Sequence, residues 1–359
     1  MRRTLLLLFA FVCLHLGADN GVSIRVVSYN VENLFDCNHD SLKNDSAFLP
    51  DSPQHWTQHR YRNKLHKIAQ VICNIGAGQP PAIVGMMEVE NDSCLNDLCR
   101  YHLLPRHFPY RYLHYESADP RGIDVALLYD TLMLRHIVSH PISVSGNTSK
   151  HPTRDVLYSA FVLTDSYRPY SHTPADTLHC FVCHLPSQLG GIKATSHRRQ
   201  QVIDIIKQHS DSLLEANQNA AIIVMGDFNT APANSLPPLV NTMLTGFNFV
   251  SPSTPSSPKA PAPHSQHADE SSTTFDASDI PADLVSGTHK YQGIWSTLDQ
   301  FYLSPALYAN ASPALIYAPL YLLEQDNRYL GYKPFRTYSG PRYLGGYSDH
   351  LPIYIDIRL

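Results

Sequence analysis

Short apolar runs rich in β-branched residues recur along the whole chain: Ile24 to Tyr29, Ala82 to Met87, Val125 to Tyr129, Val156 to Leu163, Leu178 to Val182, Ala221 to Met225, Leu298 to Leu303 and Ile353 to Ile357. Each is too short for an ordinary helix, and most lack the alternation of a strand with one wet face. They predict strands covered on both sides. Two helices are predicted to help cover them. Between the first two runs, Tyr61, Leu65, Ile68, Ala69 and Ile72 recur at helical spacing, with Thr57 placed as cap and Gly76 beyond the end. A second helix is expected from about His197 to Ala216, carrying Val202, Ile205, Ile206 and Leu213 on one side and leading into the strand at Ala221. Strands alternating with helices in both halves imply mixed sheets with helices outside, an α/β chain.

No internal repeat divides the 359 residues, so one domain is expected over residues 19–359. From Ser251 to Ser265 ten of fifteen residues are Pro or Ser, and a polar stretch continues to about Asp279. A flexible insertion at about 251–279 fits this composition better than a domain boundary. With 43% hydrophobic and 16% charged residues the chain is globular, and 27 Lys and Arg against 31 Asp and Glu give a net charge of −4. No summed positive field marks a nucleic-acid binder, so any phosphate contact must be local.

Arg2 and Arg3, the apolar stretch from Leu5 to Leu16 and the small pair Gly17-Ala18 read as a signal peptide over residues 1–18. Export to the periplasm or the medium is expected, and no other run approaches the ~18 apolar residues of a membrane-spanning helix. Six cysteines follow the leader: Cys37, Cys73, Cys94, Cys99, Cys180 and Cys183. The C-x-x-C of Cys180 and Cys183 lies inside an apolar run instead of at a helix start, which favours buried strand cysteines over a redox pair.

Polar motifs stand where the predicted strands end. They are Ser28-Tyr29-Asn30-Val31-Glu32-Asn33, Met86-Met87-Glu88-Val89-Glu90, Arg121-Gly122-Ile123-Asp124, Cys183-His184-Leu185-Pro186, Gly226-Asp227-Phe228-Asn229, Leu298-Asp299-Gln300 and Ser348-Asp349-His350. A lone Asn or His at a strand end is usually structural. Glu88, however, follows a run too apolar to welcome a carboxylate, and it wants a cation. Asp227 and Asn229, two apart, converge on one small space where they can orient a water and accept its proton. His350 with an aspartate from another strand forms an Asp-His pair. No Gly-x-Ser-x-Gly elbow supplies a serine nucleophile, so water is the expected attacker.

Asn30, Glu88, His184, the Gly-Asp-Phe-Asn of residues 226–229, Leu-Asp-Gln of 298–300 and Ser-Asp-His of 348–350 resemble the endonuclease/exonuclease/phosphatase superfamily in order and rough spacing. The resemblance implies a deoxyribonuclease I-like, four-layer α/β/β/α sandwich of mixed, mainly antiparallel sheets with its site at one end. It implies that Glu88 binds a divalent cation, with Asn30 and Asp349 beside it or joined through water. Magnesium suits such a sparse oxygen shell, with manganese as substitute. Asp227 is expected to position or deprotonate water, Asn229 to orient the phosphate or Asp227, and His350, paired with Asp299, to bind the phosphoryl oxygens. By the same resemblance His184 occupies a position that is histidine in the deoxyribonuclease I branch, with Asp124 as its carboxylate partner.

Other segments, including Lys333 to Tyr338, resemble a bacterial branch of unassigned substrate. Arg121, Lys333, Arg336 and Lys290 are candidates for holding a substrate phosphate. The expected partner is therefore a phosphate ester acted on by a monomer. DNA or RNA stands first, a lipid or small phosphate ester hydrolysed by a phosphatase or phospholipase-C-like enzyme second, and an inactive exported binding protein third. With only Trp56 and Trp295 available, an aromatic membrane-docking hairpin is poorly supported.

Overall fold

The computed structural model describes residues 21–144, 152–167, 177–230, 245–246 and 285–359. The expected leader at 1–18 and the insertion at 251–279 lie outside these residues. The first half contains β1 (Ser23–Leu34), β2 (Ile83–Val89), β3 (Tyr110–His114), β4 (Asp124–Asp130), β5 (Leu134–Ile142) and β6 (Val156–Leu163). It continues with β7 (Leu178–His184), β8 (Ala221–Asp227) and β9 (Thr245–Gly246). Further on come β10 (His289–Tyr291), β11 (Ile294–Ser296), β12 (Asp299–Leu303), β13 (Leu315–Ile316), β14 (Leu323–Gln325), β15 (Tyr332–Pro334), β16 (Tyr338–Ser339), β17 (Arg342–Tyr343) and β18 (Ile353–Arg358). All eight apolar runs are strands.

Two six-stranded sheets form the body, in the orders β13-β18-β1-β2-β4-β3 and β5-β6-β7-β8-β12-β9. Each contains one parallel pair, β1 with β2 and β7 with β8, among antiparallel neighbours. Parallel neighbours need a crossover, which here is helical. The helix α1 (Gln58–Ile75) joins the first pair, a short α2 (Asp92–Asp97) follows β2, and α3 (Ile192–Ala216) joins the second pair. Thr57 caps α1 by accepting the Arg60 N–H, and Gly76 closes it, as the sequence indicates. The second helix begins five residues earlier than expected, straight after Gly191.

The sheets pack face to face through Val26, Ile83, Leu127, Phe161, Val182, Met225, Phe301 and Ile355. Alternate residues of the same strands face outward: Val27, Tyr29 and Val84 meet Leu65, Ile68 and Ile72 of α1, while Phe181, Ile222 and Val224 meet Val202, Ile203 and Ile206 of α3. The result is the expected four-layer sandwich. Cys180 faces the central layer and Cys183 the α3 side, so the C-x-x-C cannot close on itself, and both thiols are fully buried. No disulfide forms among the described residues. No described helix is long and apolar enough to cross a membrane.

Ten strands have no counterpart among the apolar runs, and all of them but β3 and β5 are three residues or shorter. Edge strand β5, Leu-Arg-His-Ile-Val-Ser-His-Pro-Ile, exposes most of its length, and β3, at the opposite edge of the other sheet, mixes aromatic and polar residues. Edge strands need no continuous apolar face, so their sequence signal is weak.

Candidate active site

Both parallel pairs end at the same end of the sandwich, and the polar motifs gather there. Asn30 closes the regular part of β1, Glu88 is next to last in β2 at a break in its register, and His184 and Asp227 sit opposite one another at the ends of β7 and β8. Asp299 opens β12 in register with Asp227. Local backbone geometry is unusual here. Glu88 and Asn229 have φ of +67° and +50°, and Glu32 and Asn33 both lie at +52°. A left-handed glutamate costs energy that the surrounding fold must supply, a mark of functional sites. Gly226, at φ +147°, is obligatory for another reason: a Cβ there would fall 1.8 Å from the Cys183 carbonyl oxygen.

Asp227 is the hub. Its Oδ2 accepts the Asn30 side-chain N–H at 3.1 Å and lies 3.5 Å from His184 Nε2 and 3.8 Å from His350 Nε2. Its Oδ1 accepts the Asn229 backbone N–H at 2.8 Å, while the Asn229 side chain donates to the Leu185 carbonyl at 3.0 Å. Asn30 Nδ2 also reaches Glu88 Oε1 at 3.4 Å, and its side-chain Oδ1 accepts the Glu32 backbone N–H at 3.0 Å. Glu88 Oε2 accepts the Asn33 N–H at 2.9 Å. The Ser348 hydroxyl donates to the Asn30 carbonyl at 2.7 Å and accepts the His350 N–H at 3.0 Å, which ties the last motif to the first.

His350 Nδ1 lies 2.7 Å from Asp299 Oδ2, so the expected Asp-His pair is present. Burial opposes the charge of this imidazole, but Asp299 and Asp227 raise its pKa well above the ordinary value. His184 goes the other way: burial first, then Arg154 and Arg121, hold it well below the usual range. Burial pushes Asp227 up to about 7 against the pull of the His350 imidazolium, with Asp299 and Glu88 adding to the rise. The site thus holds one charged and one neutral histidine on either side of a carboxyl group poised near neutrality.

Asp349 accepts from Arg336 Nη2 at 2.8 Å, and its ligand atom lies within 4.8 Å of those of His289 and His350. Despite the cost of burial, His350 and Arg336 hold Asp349 below the ordinary aspartate value. Among the described residues Glu88 makes no ion pair with a lysine or arginine. Glu88, Asn30 and Asp349 bring oxygen donors to this end of the sandwich, the ligand type that suits a hard divalent cation completed by water and phosphate.

The structure places the remaining candidates unevenly. Arg336 enters the site, where its Nε also lies 3.6 Å from Glu32. Lys333 does not: it faces Glu324 across the β14–β15 hairpin at 3.5 Å. Lys290 is spent on Asp326 at 3.0 Å and on two carbonyls. Arg121 pairs with Asp119 at 3.1 Å and lines a cavity of about 310 Å³ beside Pro186 and Ser187. Asp124 does not meet His184. It accepts from the Ser117 hydroxyl and faces His114, because the alternation along β4 puts Asp124 on the α1-facing side with Ala126 and Leu128, whereas His184 shares the central side with Cys180 and Val182.

Sequence reasoning missed three supports. Arg154, fully buried, donates to the carbonyls of His184 and Leu185 and pairs with Asp119 at 2.7 Å, holding the β7 end in place. His289 packs its ring 4.8 Å from that of His350. Buried Lys64, on α1, donates to the Thr337 hydroxyl and the Tyr347 carbonyl at 2.6 Å, anchoring the Ser-Asp-His loop. None of these carries a motif, since each works through a loop brought near only by folding.

A profile described as the endonuclease/exonuclease/phosphatase family matches residues 25–243 and 265–359, and the chain belongs to that family, one of phosphoesterases and nucleases that use divalent metal ions. An endonuclease/exonuclease/phosphatase family protein from Bacteroides thetaiotaomicron shares the fold with TM-score 0.54 at 16% identity, covering 94% of this chain and 95% of that one. A mannosyl-6-phosphatase from Bacteroides thetaiotaomicron VPI-5482 does so with TM-score 0.55 at 15% identity, covering 94% and 100%. A truncated TDP2 from Caenorhabditis elegans matches with TM-score 0.50 at 13% identity, covering 95% and 100%. At these identities the likeness is one of fold. No curated protein sequence matches the chain.

Proposed function

We propose that this chain is an exported phosphoesterase, a single domain acting as a monomer, that hydrolyses a compact phosphate ester by water attack with Mg²⁺, or Mn²⁺ in its place. The observation that carries the chemistry is the convergence of Asn30, His184 and His350 on one oxygen of Asp227, with Glu88 beyond them.

A cation held by Glu88, with Asn30 and Asp349 directly or through water, would supply positive charge to the phosphoryl oxygens. Asp227 accepts the proton of the attacking water; the Asn229 N–H holds Oδ1, which turns Oδ2, also contacted by Asn30, toward the two histidines. His350, charged and held by Asp299, donates from Nε2 to the phosphoryl oxygens as charge develops. His184, kept neutral, lies against the same Asp227 oxygen, so it helps position the water or the phosphate without competing for the proton. Arg121 lies on the cavity next to the His184 loop, where it can receive the remainder of the substrate.

Local charge supports a compact substrate over a duplex. A duplex binder neutralises roughly 6–10 phosphates. Here Arg336, Lys333 and Lys290 each face an acidic partner, and the net charge is −4. The nucleic-acid reading keeps one observation in its favour, the placement of His184 inside the site, as expected of the deoxyribonuclease I branch. The test is hydrolysis of a sugar phosphate, a generic phosphodiester, sphingomyelin and plasmid DNA by the full chain with Mg²⁺, each repeated with EDTA. EDTA-sensitive turnover of the small esters with intact plasmid is the expected result. Plasmid nicking with small esters untouched would overturn the substrate class, and silence on all four would revive an inactive binding protein.

A further inference from the structure

Away from the catalytic groups, β3 ends in His114 and β4 begins with Asp124, and these neighbours hold a second cluster with Glu116 between them in sequence. One ligand atom from each of His114, Glu116 and Asp124 lies within 4.8 Å of the others. Two of these groups are buried, with side-chain exposures of 2% for His114 and 1% for Asp124. His114 Nε2 and Asp124 Oδ2 both lack any hydrogen-bond partner, though they point at each other. Their separation of 3.7 Å is too long for a hydrogen bond. It is close to the roughly 3.3–3.6 Å between two donors that share a tetrahedral zinc ion with bonds of about 2.0–2.2 Å.

The surroundings prepare the same atoms. His114 Nδ1 lies 3.0 Å from Asp92 Oδ1, an arrangement that directs the Nδ1 proton to that carboxylate and leaves Nε2, facing Asp124, as the ring atom a cation would take in place of a proton. A carboxylate behind a histidine is the usual support of a metal-ligating imidazole. The Ser117 hydroxyl occupies Asp124 Oδ1, which leaves Oδ2 as the free oxygen. Glu116, exposed and 3.6 Å from Lys43, can swing in as third ligand. An imidazole in the donor set selects zinc or a similar transition metal over magnesium.

We propose that His114 Nε2, Asp124 Oδ2 and Glu116 form a second divalent metal site, for zinc, with water as the fourth ligand. By joining β3 to β4 it closes the loop of residues 115–123 that carries Arg121, so its role is to position that arginine and not to take part in hydrolysis. This assignment is independent of which ester is hydrolysed.

The test uses the full chain, stripped with chelator, equilibrated with Zn²⁺, dialysed and assayed for zinc by atomic emission, together with the His114→Ala, Glu116→Gln, Asp92→Asn and Glu88→Gln variants. Wild type and Glu88→Gln are expected to share one tight equivalent that His114→Ala lacks. Glu116→Gln, at an exposed position, keeps the fold and binds at least tenfold more weakly, and Asp92→Asn, which leaves every ligand, weakens binding by about 10–100-fold. Added Zn²⁺ should raise the melting temperature of wild type and not of His114→Ala. Equal tight zinc binding by wild type, His114→Ala and Glu116→Gln, or loss of all tight zinc in Glu88→Gln alone, would overturn the assignment. So would zinc anomalous density that avoids the space between His114 and Asp124.

Discussion

His350 Nδ1 lies 2.7 Å from Asp299 Oδ2 while its Nε2 looks across 3.8 Å to Asp227 Oδ2, so one imidazole links two buried carboxyl groups that come from adjacent strands. Asp299 fixes the ring and its charge, and Asp227 lies on the side where the proposed mechanism brings water and phosphate together.

This geometry predicts the effect of Asp299→Asn. The substitution keeps the shape but removes the charge that holds His350 as an imidazolium. Turnover should fall by about 10²–10⁴-fold with little change in KM, as for a group that acts mainly in the transition state. Steady-state kinetics on the best substrate measures it, and an equal rise in KM with unchanged kcat would assign Asp299 to substrate binding instead.

Glu88 is predicted to hold the cation. Activity lost to EDTA should return when Mg²⁺ or Mn²⁺ is restored, and Glu88→Gln should need at least about tenfold more metal for half-maximal activity. A metal titration of both proteins checks this.

Gly226→Ala tests the close approach of β7 and β8. Its Cβ would collide with the Cys183 carbonyl, and its φ of +147° is open to glycine almost alone. A loss of at least about 2 kcal/mol is expected in urea unfolding, larger than most surface changes give.

A pH effect on stability is predicted from Glu90, which burial pushes up to about 8 although the Asp36 N–H, at 2.7 Å, favours its charged form. Between about 4.5 and 8 the folded chain keeps a proton that the unfolded chain releases, so this residue makes stability fall as pH rises through that window. Glu90→Gln should abolish the decline attributable to it, and the variant should gain on wild type by a few kcal/mol between pH 4.5 and pH 8.5 in urea titrations.

Much of this arrangement is written in the chain. Continuous apolar runs marked β1, β2 and β7 because those strands are buried on both faces, and Thr57 and Gly76 marked the ends of α1 through ordinary capping chemistry. Motifs at strand ends pointed to Asn30, Glu88, His184, Asp227, Asp299 and His350, each ordinary alone but together too many polar groups in one architectural position to be turn residues. Partners were less legible. Asp124 and His184 stand at the ends of strands in different sheets, and only the direction of the Asp124 side chain, toward Ser117 and His114, decides between partners. Arg154 and Lys64 are buried cations whose role is to hold carbonyls of distant loops, a relation with no spacing to read. Lys333 sits close to Arg336 in sequence, yet the hairpin alternates its faces and turns the lysine to Glu324.

The most direct test of the account is the turnover of Asp227→Asn against wild type on the ester that the wild-type chain hydrolyses best, at saturating Mg²⁺, with metal content and circular dichroism measured on both. Loss of about 10²–10⁴-fold in kcat with fold and metal retained is the predicted result for the group that takes the proton of the attacking water. Turnover within a few-fold of wild type would contradict it and remove Asp227 from the centre of the mechanism.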